Sequence, residues 1–94
     1  MKSNYPVIVL LFVLSGLNSF SQTNVKWEKQ NFPGRESEYS KAFKAYDEGN
    51  KLFYYVGPPA YEGALVQYLE AYAFNPNNDE LNFHIGHVLQ FLIY

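Results

Sequence analysis

Ala64-Leu65-Val66-Gln67-Tyr68-Leu69-Glu70-Ala71-Tyr72-Ala73-Phe74-Asn75-Pro76-Asn77-Asn78 is the stretch that decides the fold. Ala64, Tyr68 and Ala71 recur at helical spacing and share one face. Short side chains at two of these positions let a second helix approach closely, and Tyr68 fills the gap between them. The helix then stops at Asn75-Pro76-Asn77-Asn78, because proline lacks an amide donor and restricts the residue before it. Ten residues past that proline, Ile85-Gly86-x2-Leu89 supplies a hydrophobe, a glycine and a large apolar residue where the next helix of a repeating hairpin needs them. The period carries across the break, which points to a binding scaffold and away from catalysis.

Upstream, the pattern is helical from about Ser37 to Val56. Tyr39, Ala42, Phe43, Ala45, Tyr46, Gly49, Leu52, Phe53 and Tyr54 spread over an arc of about 200°, with Lys44, Asp47, Glu48 and Lys51 opposite. An ordinary surface helix buries a narrower stripe. Ala45, Gly49 and Leu52 are expected to pack on the second helix, leaving Phe43, Tyr46, Asn50 and Phe53 for a neighbouring element or a ligand. Gly57-Pro58-Pro59 ends the first helix, and the second runs from about Ala60 to Phe74. Asn78 or Asp79 offers an amino-terminal cap for a third helix, roughly Glu80 to Tyr94, with the core stripe Leu81, Ile85, Val88, Leu89 and Leu92. That helix has no partner in the sequence, so the helical region is expected to be weakly cooperative, or to self-associate through the open stripe Ile85, Leu89 and Leu92 of the third helix.

The amino-terminal residues have a different character. Lys2 precedes the apolar run Val7 to Leu17, which gives way to Ser19, Phe20 and Ser21; by pattern this is a secretory signal peptide, residues 1–21, cleaved before Gln22. The run is shorter than the roughly 18 to 20 residues that cross a hydrocarbon layer. Residues 22–36 are polar with isolated Val25, Trp27 and Phe32, end at Pro33-Gly34, and form an extended arm on which Trp27 acts as a plug against the first helix. What remains, residues 37–94, is the helical region.

The chain has no cysteine, so disulfide stapling, a lipid-modified amino terminus and thiol catalysis are excluded. Its formal charge of −2 comes with no basic stripe to hold nucleic acid.

Residues 45–94 resemble one and a half tetratricopeptide repeats. With the signal peptide, the Trp27-Glu28-Lys29-x-Asn31-Phe32-Pro33 arm and the Tyr68-Leu69-Glu70-Ala71-x3-Asn75-Pro76-Asn77-Asn78 run, the whole chain is similar to the amino-terminal region of a group of exported Gram-negative proteins. In that group the repeats precede a beta-propeller-like segment and an OmpA-like domain that binds peptidoglycan. The sequence departs from the repeat at Glu48, normally hydrophobic, and in the spacing from Gly49 to Ala64, which is 15 where 12 is usual. The resemblance implies an all-α fold, a helical hairpin plus one further helix beginning an alpha-alpha superhelix, with the second repeat incomplete. It implies protein binding at the cell envelope, in the periplasm or at the outer membrane, along the face formed by the first helices of successive repeats. Phe43, Tyr46, Asn50, Phe53, Phe83 and His87 are the implied partner-binding residues, with Phe91 beside them. The alternative is a structural role as the amino-terminal part of a longer peptidoglycan-associated outer-membrane protein.

Other chemistry is thinly represented. Glu80, His84 and His87 are one helical turn apart but lack the His-Glu-x-x-His order of a zinc site, and solvent-facing or structural histidines are the default. Glu36 with Glu38, and Asp47 with Glu48, read as solvated carboxylates. No phosphate loop, nucleophile elbow or catalytic triad pattern occurs. We therefore expect no enzyme activity, no cofactor, no metal, no nucleic-acid partner and no small-molecule substrate.

Overall fold

The structure is a computed structural model that describes residues 24–94. The expected signal peptide lies outside the described residues. Among them every regular element is helical: α1 (Glu36–Lys51), α2 (Tyr61–Phe74) and α3 (Asp79–Ile93). A five-residue π-helical turn, Leu52–Val56, prolongs α1, and a single 3-10 turn, Pro58–Ala60, leads into α2. None of these helices is long and apolar enough to cross a membrane.

The α1/α2 hairpin closes where the small residues lie. Ala64, Tyr68 and Ala71 are completely buried, and a Cβ added at Gly49 would stand 2.7 Å from the Tyr68 ring. Without a side chain at Gly49, α1 rests directly on that ring. The Tyr68 hydroxyl donates to Asn50 Oδ1 at 2.7 Å, so the largest ring in the seam has its polar end satisfied. Gly57 links the two helices at φ 86 and ψ −150, a conformation open only to glycine.

α3 packs on α2 through Leu81, Ile85, Val88 and Leu89, and Asn78 caps it by accepting from the Leu81 amide at 2.9 Å. This corrects one expectation. Ile85 and Leu89 are core and Leu92 is half-buried, so the stripe expected to lie open is covered by α2. The physical reason is that one neighbouring helix fills the apolar arc centred on Ile85 and Val88, and the open face of α3 is the one opposite.

The π turn is a second departure, since the periodicity predicts an uninterrupted α-helix to Val56. The Gly57 amide reaches back five residues to the Leu52 carbonyl at 2.9 Å. Widening the last turn swings Phe53 and Tyr54 toward α3. α1 and α3 also share a register pattern: Tyr46-x2-Gly49-x2-Leu52 in the first and Phe83-x2-Gly86-x2-Leu89 in the third.

The arm is fastened down at both ends of its course. Val25 donates its amide to the Asn77 carbonyl at 2.9 Å, and its own carbonyl accepts from the side-chain amides of Asn75 and Asn78 at 3.1 and 3.0 Å. Asn24 Oδ1 accepts from the Asp79 amide at 2.8 Å, adding a second cap to α3. Trp27 stacks on Tyr46 with ring centroids 5.0 Å apart and touches Tyr39, Phe43 and Phe74 at 6.0 to 6.4 Å. Phe32 is buried against Phe74 at 4.7 Å. The arm holds a 3-10 turn at Lys29–Asn31 and a further turn at Pro33-Gly34, where Gly34 has φ 78.

Candidate functional site

Six residues are implied as a binding face, and the fold divides them into two groups. Phe43 and Tyr46 belong to the arm cluster: Tyr46 is buried beneath Trp27, and Phe43, 40% exposed, lies at the edge of the same rings. The arm therefore occupies that end of the strip. Phe53, Phe83 and His87 lie together at the other end, where the π turn meets α3, while Asn50 faces the Tyr68 hydroxyl.

Phe53 is the wedge there. Its ring stacks on Tyr61 at 5.3 Å and 11° and lies 4.5 Å from His84, with the edge of His87 at 5.4 Å. It joins the start of α2 to the middle of α3, so much of it is structural. Phe83 is 68% exposed beside His87, and Phe91, 52% exposed, meets Tyr61 edge-on at 5.1 Å.

Between α1 and α3 runs a set of hydrogen-bonded polar groups. The Tyr46 hydroxyl donates to Glu80 Oε1 in a short bond. Tyr54 Oη lies 2.7 Å from His84 Nε2. Burial above all, and then the carboxylate of Glu80, push the Tyr46 phenol well above its ordinary range; burial does the same to Tyr68. Both remain protonated donors at any ordinary pH. His84 is only 2% exposed, and burial lowers its pKa, with Glu80 opposing and His87 adding to the fall. The imidazole is neutral at neutral pH, and its Nδ1 is buried without a hydrogen-bond partner.

Beside this floor lies a groove of about 350 Å³ lined by Asp47, Asn50, Lys51, Tyr54 and Tyr55. Tyr55 is 85% exposed and Tyr54 59%, while Lys51 Nζ and Asp47 Oδ2 pair at 3.3 Å along one rim. A further groove of about 310 Å³ lies between α1 and the end of α2, where the Arg35 guanidinium sits 4.4 Å over the Phe74 ring.

Chemically, the α1/α3 face offers aromatic edges, one amide and a self-paired ion pair. Its titratable groups point at one another instead of into open space. Among the described residues no three His, Asp or Glu side chains converge as metal ligands.

Sequence reasoning missed Tyr54, Glu80 and His84 as a network, because it joins residues from two helices that never meet in sequence. A partial signal existed for His84, which stands one turn from both Leu81 and Val88 on the core stripe. It also missed Asn75 and Asn78 as the clamp on Val25, since Asn-Pro-Asn-Asn reads as a helix stop before it reads as anything else.

The chain matches no family model, no curated protein and no solved structure.

Proposed function

We propose that this chain is a non-enzymatic protein-binding scaffold, one and a half units of a tetratricopeptide-like array, that takes a segment of another protein at the bacterial cell envelope after export. The observation that carries the reading is the groove along α1 and its π turn, lined by Asp47, Asn50, Lys51, Tyr54 and Tyr55. Tyr54 and Tyr55 stand open there, and Asn50 and Tyr54 are held from behind by hydrogen bonds to Tyr68 and His84. Large aromatic side chains held on rigid elements lose little entropy on contact and commonly anchor protein interfaces.

The seam of Ala64, Tyr68 and Ala71 against Gly49, together with the recurrence of the aromatic-x2-Gly-x2-Leu pattern in α3, supports the repeat reading. Because the arm covers Tyr46, the binding strip is shorter than the sequence suggests, and we assign it to Asn50, Tyr54, Tyr55 and His87 with Phe53 as their support. Export and envelope location rest on the Val7 to Leu17 run and the small residues before Gln22.

The test is affinity capture from envelope extract with Tyr55→Ala and Lys51→Ala against the parent. Both side chains are exposed, so helicity should hold. Loss of a discrete partner on removal of Tyr55, by about tenfold or more in affinity, is expected. Equal recovery by folded parent and variants would remove the groove from the account.

A further inference from the structure

α1 and α3 carry the same pattern, but only one of the two faces it creates is filled. In α1, Trp27 stacks over Tyr46 at 5.0 Å, and the Tyr68 ring lies so close to Gly49 that a Cβ would stand 2.7 Å from it. In α3, the corresponding Phe83 is 68% exposed, and a Cβ at Gly86 would meet nothing within 4 Å. The chain itself shows what such a face takes: aromatic rings, one from the arm and one from a neighbouring helix.

Past the first turn of α3 the open face is also uncharged. From Leu81 to Tyr94 the sequence holds no Asp, Glu, Lys or Arg, and Phe83, Ile93 and Tyr94 stand exposed around Gly86 and Gln90. A helix facing water ordinarily carries a charged face, as α1 does with Lys41, Lys44 and Glu48.

We propose that the outer face of α3 binds the same helix of a second copy of this chain, the two helices antiparallel about a two-fold axis, with Phe83 of each copy over Gly86 of the other. A two-fold contact requires a patch complementary to itself. Phe83 and Gly86, one turn apart on one face, supply a knob and a notch together. An antiparallel pair brings each knob to the other copy's notch, whereas a parallel pair sets Phe83 against Phe83 and leaves both notches empty. Charge favours the same choice. Asp79 and Glu80 are the only formal charges on α3, both in its first turn, and antiparallel packing keeps the two acidic ends apart. Tyr55 takes no part in this contact, but Phe83 lies beside His87 of the proposed binding strip, so Gly86→Ala, whose residue lines no part of the Tyr55 groove, is the variant that separates the two readings.

Sedimentation equilibrium of the full chain over a hundredfold range of concentration reads the association directly, with circular dichroism as the check on folding. The parent is expected to dimerise. Phe83→Glu should weaken the dimer by at least about tenfold, and Ile93→Glu should act in the same direction. Gly86→Ala is the sharper variant, since open space tolerates the methyl within one copy while the notch in the dimer does not. It should weaken association without loss of helicity. Val66→Glu, an exposed apolar position on α2, should leave the dimer intact. A monomer at every concentration would overturn the proposal. So would a dimer indifferent to Phe83→Glu and Gly86→Ala, one lost equally with Val66→Glu, or one that depends instead on Val7 to Leu17.

Discussion

Two glycines on parallel stretches of helix should respond in opposite directions to the same substitution. Gly49 and Gly86 both lie inside α-helices, so replacement by alanine removes the same backbone entropy cost, about 1 kcal/mol in favour of folding. At Gly86 the new methyl meets nothing within 4 Å, and the chain should gain about 0.5 to 1 kcal/mol. At Gly49 the methyl would sit 2.7 Å from two carbons of the Tyr68 ring. Real side chains do not pack at that distance, so the ring or α1 must move. The ring has little freedom. It is fully buried, stacks on His84 at 5.6 Å, lies 6.3 Å from Phe53 and is tied through its hydroxyl to Asn50. Overpacking at such a site costs about 1 to 3 kcal/mol, and a strained Tyr68–Asn50 hydrogen bond adds about 1. Gly49→Ala should therefore destabilise by about 1 to 3 kcal/mol net of the propensity gain. The two variants should differ by about 1.5 to 4 kcal/mol, roughly 6 to 30 °C in midpoint for a chain of this size. Thermal or urea unfolding followed by circular dichroism, at dilution sufficient to hold the chain monomeric, makes the comparison. If Gly49→Ala stabilises the fold as much as Gly86→Ala does, the close α1/α2 seam is wrong and the hairpin register with it.

Two further outcomes follow from the packing. Trp27→Ala should lose about 2 to 3 kcal/mol, less than a fully buried indole because Trp27 is half-buried, and should raise protease sensitivity between Asn24 and Arg35; urea unfolding that shifts by under about 0.5 kcal/mol would show the arm to be undocked. His84 is neutral in the fold because burial lowers its pKa below the ordinary 6.5, so the unfolded chain binds the proton first. Its contribution should be fully present above about pH 6.5 and decline as the pH falls through the lower folded value. His84→Gln should flatten that part of the stability profile while His87→Gln leaves it sloped, and parallel profiles for parent and His84→Gln would contradict the assignment.

Much of the helical layout was legible because local signals agreed. Pro58-Pro59 and Asn75-Pro76 mark the two breaks, the Asn78 cap begins α3, and Ala64, Tyr68 and Ala71 at helical spacing announce the hairpin seam. Trp27 as a plug was legible too, since a lone indole outside the periodicity has to cover an apolar surface somewhere. The illegible parts all depend on which element lies opposite. Tyr46 reads as a groove residue until the arm is seen to end at the Asn75 and Asn78 clamp and to lay Trp27 across it. The stripe of α3 reads as open until α2 is seen to fill it. Phe53 and Tyr54 face α3 only because the last turn of the first helix widens, and periodicity at a fixed 100° per residue cannot register that change. Of the residues implied as a binding face, Phe53, Phe83 and His87 lie near one another, Asn50 is tied to Tyr68, and Phe43 and Tyr46 lie with the arm's rings.

Site-specific photo-crosslinking in the living cell tests the central claim most directly, because it needs neither a known partner nor a stable complex. A photoreactive residue in place of Tyr55 stands in the groove on α1 and its π turn; the same group in place of Val66 stands exposed on α2. The expected result is a discrete adduct with one other protein from the Tyr55 position and none from Val66. Adducts from neither position, or the same adducts from both, would contradict a scaffold that binds its partner through this face.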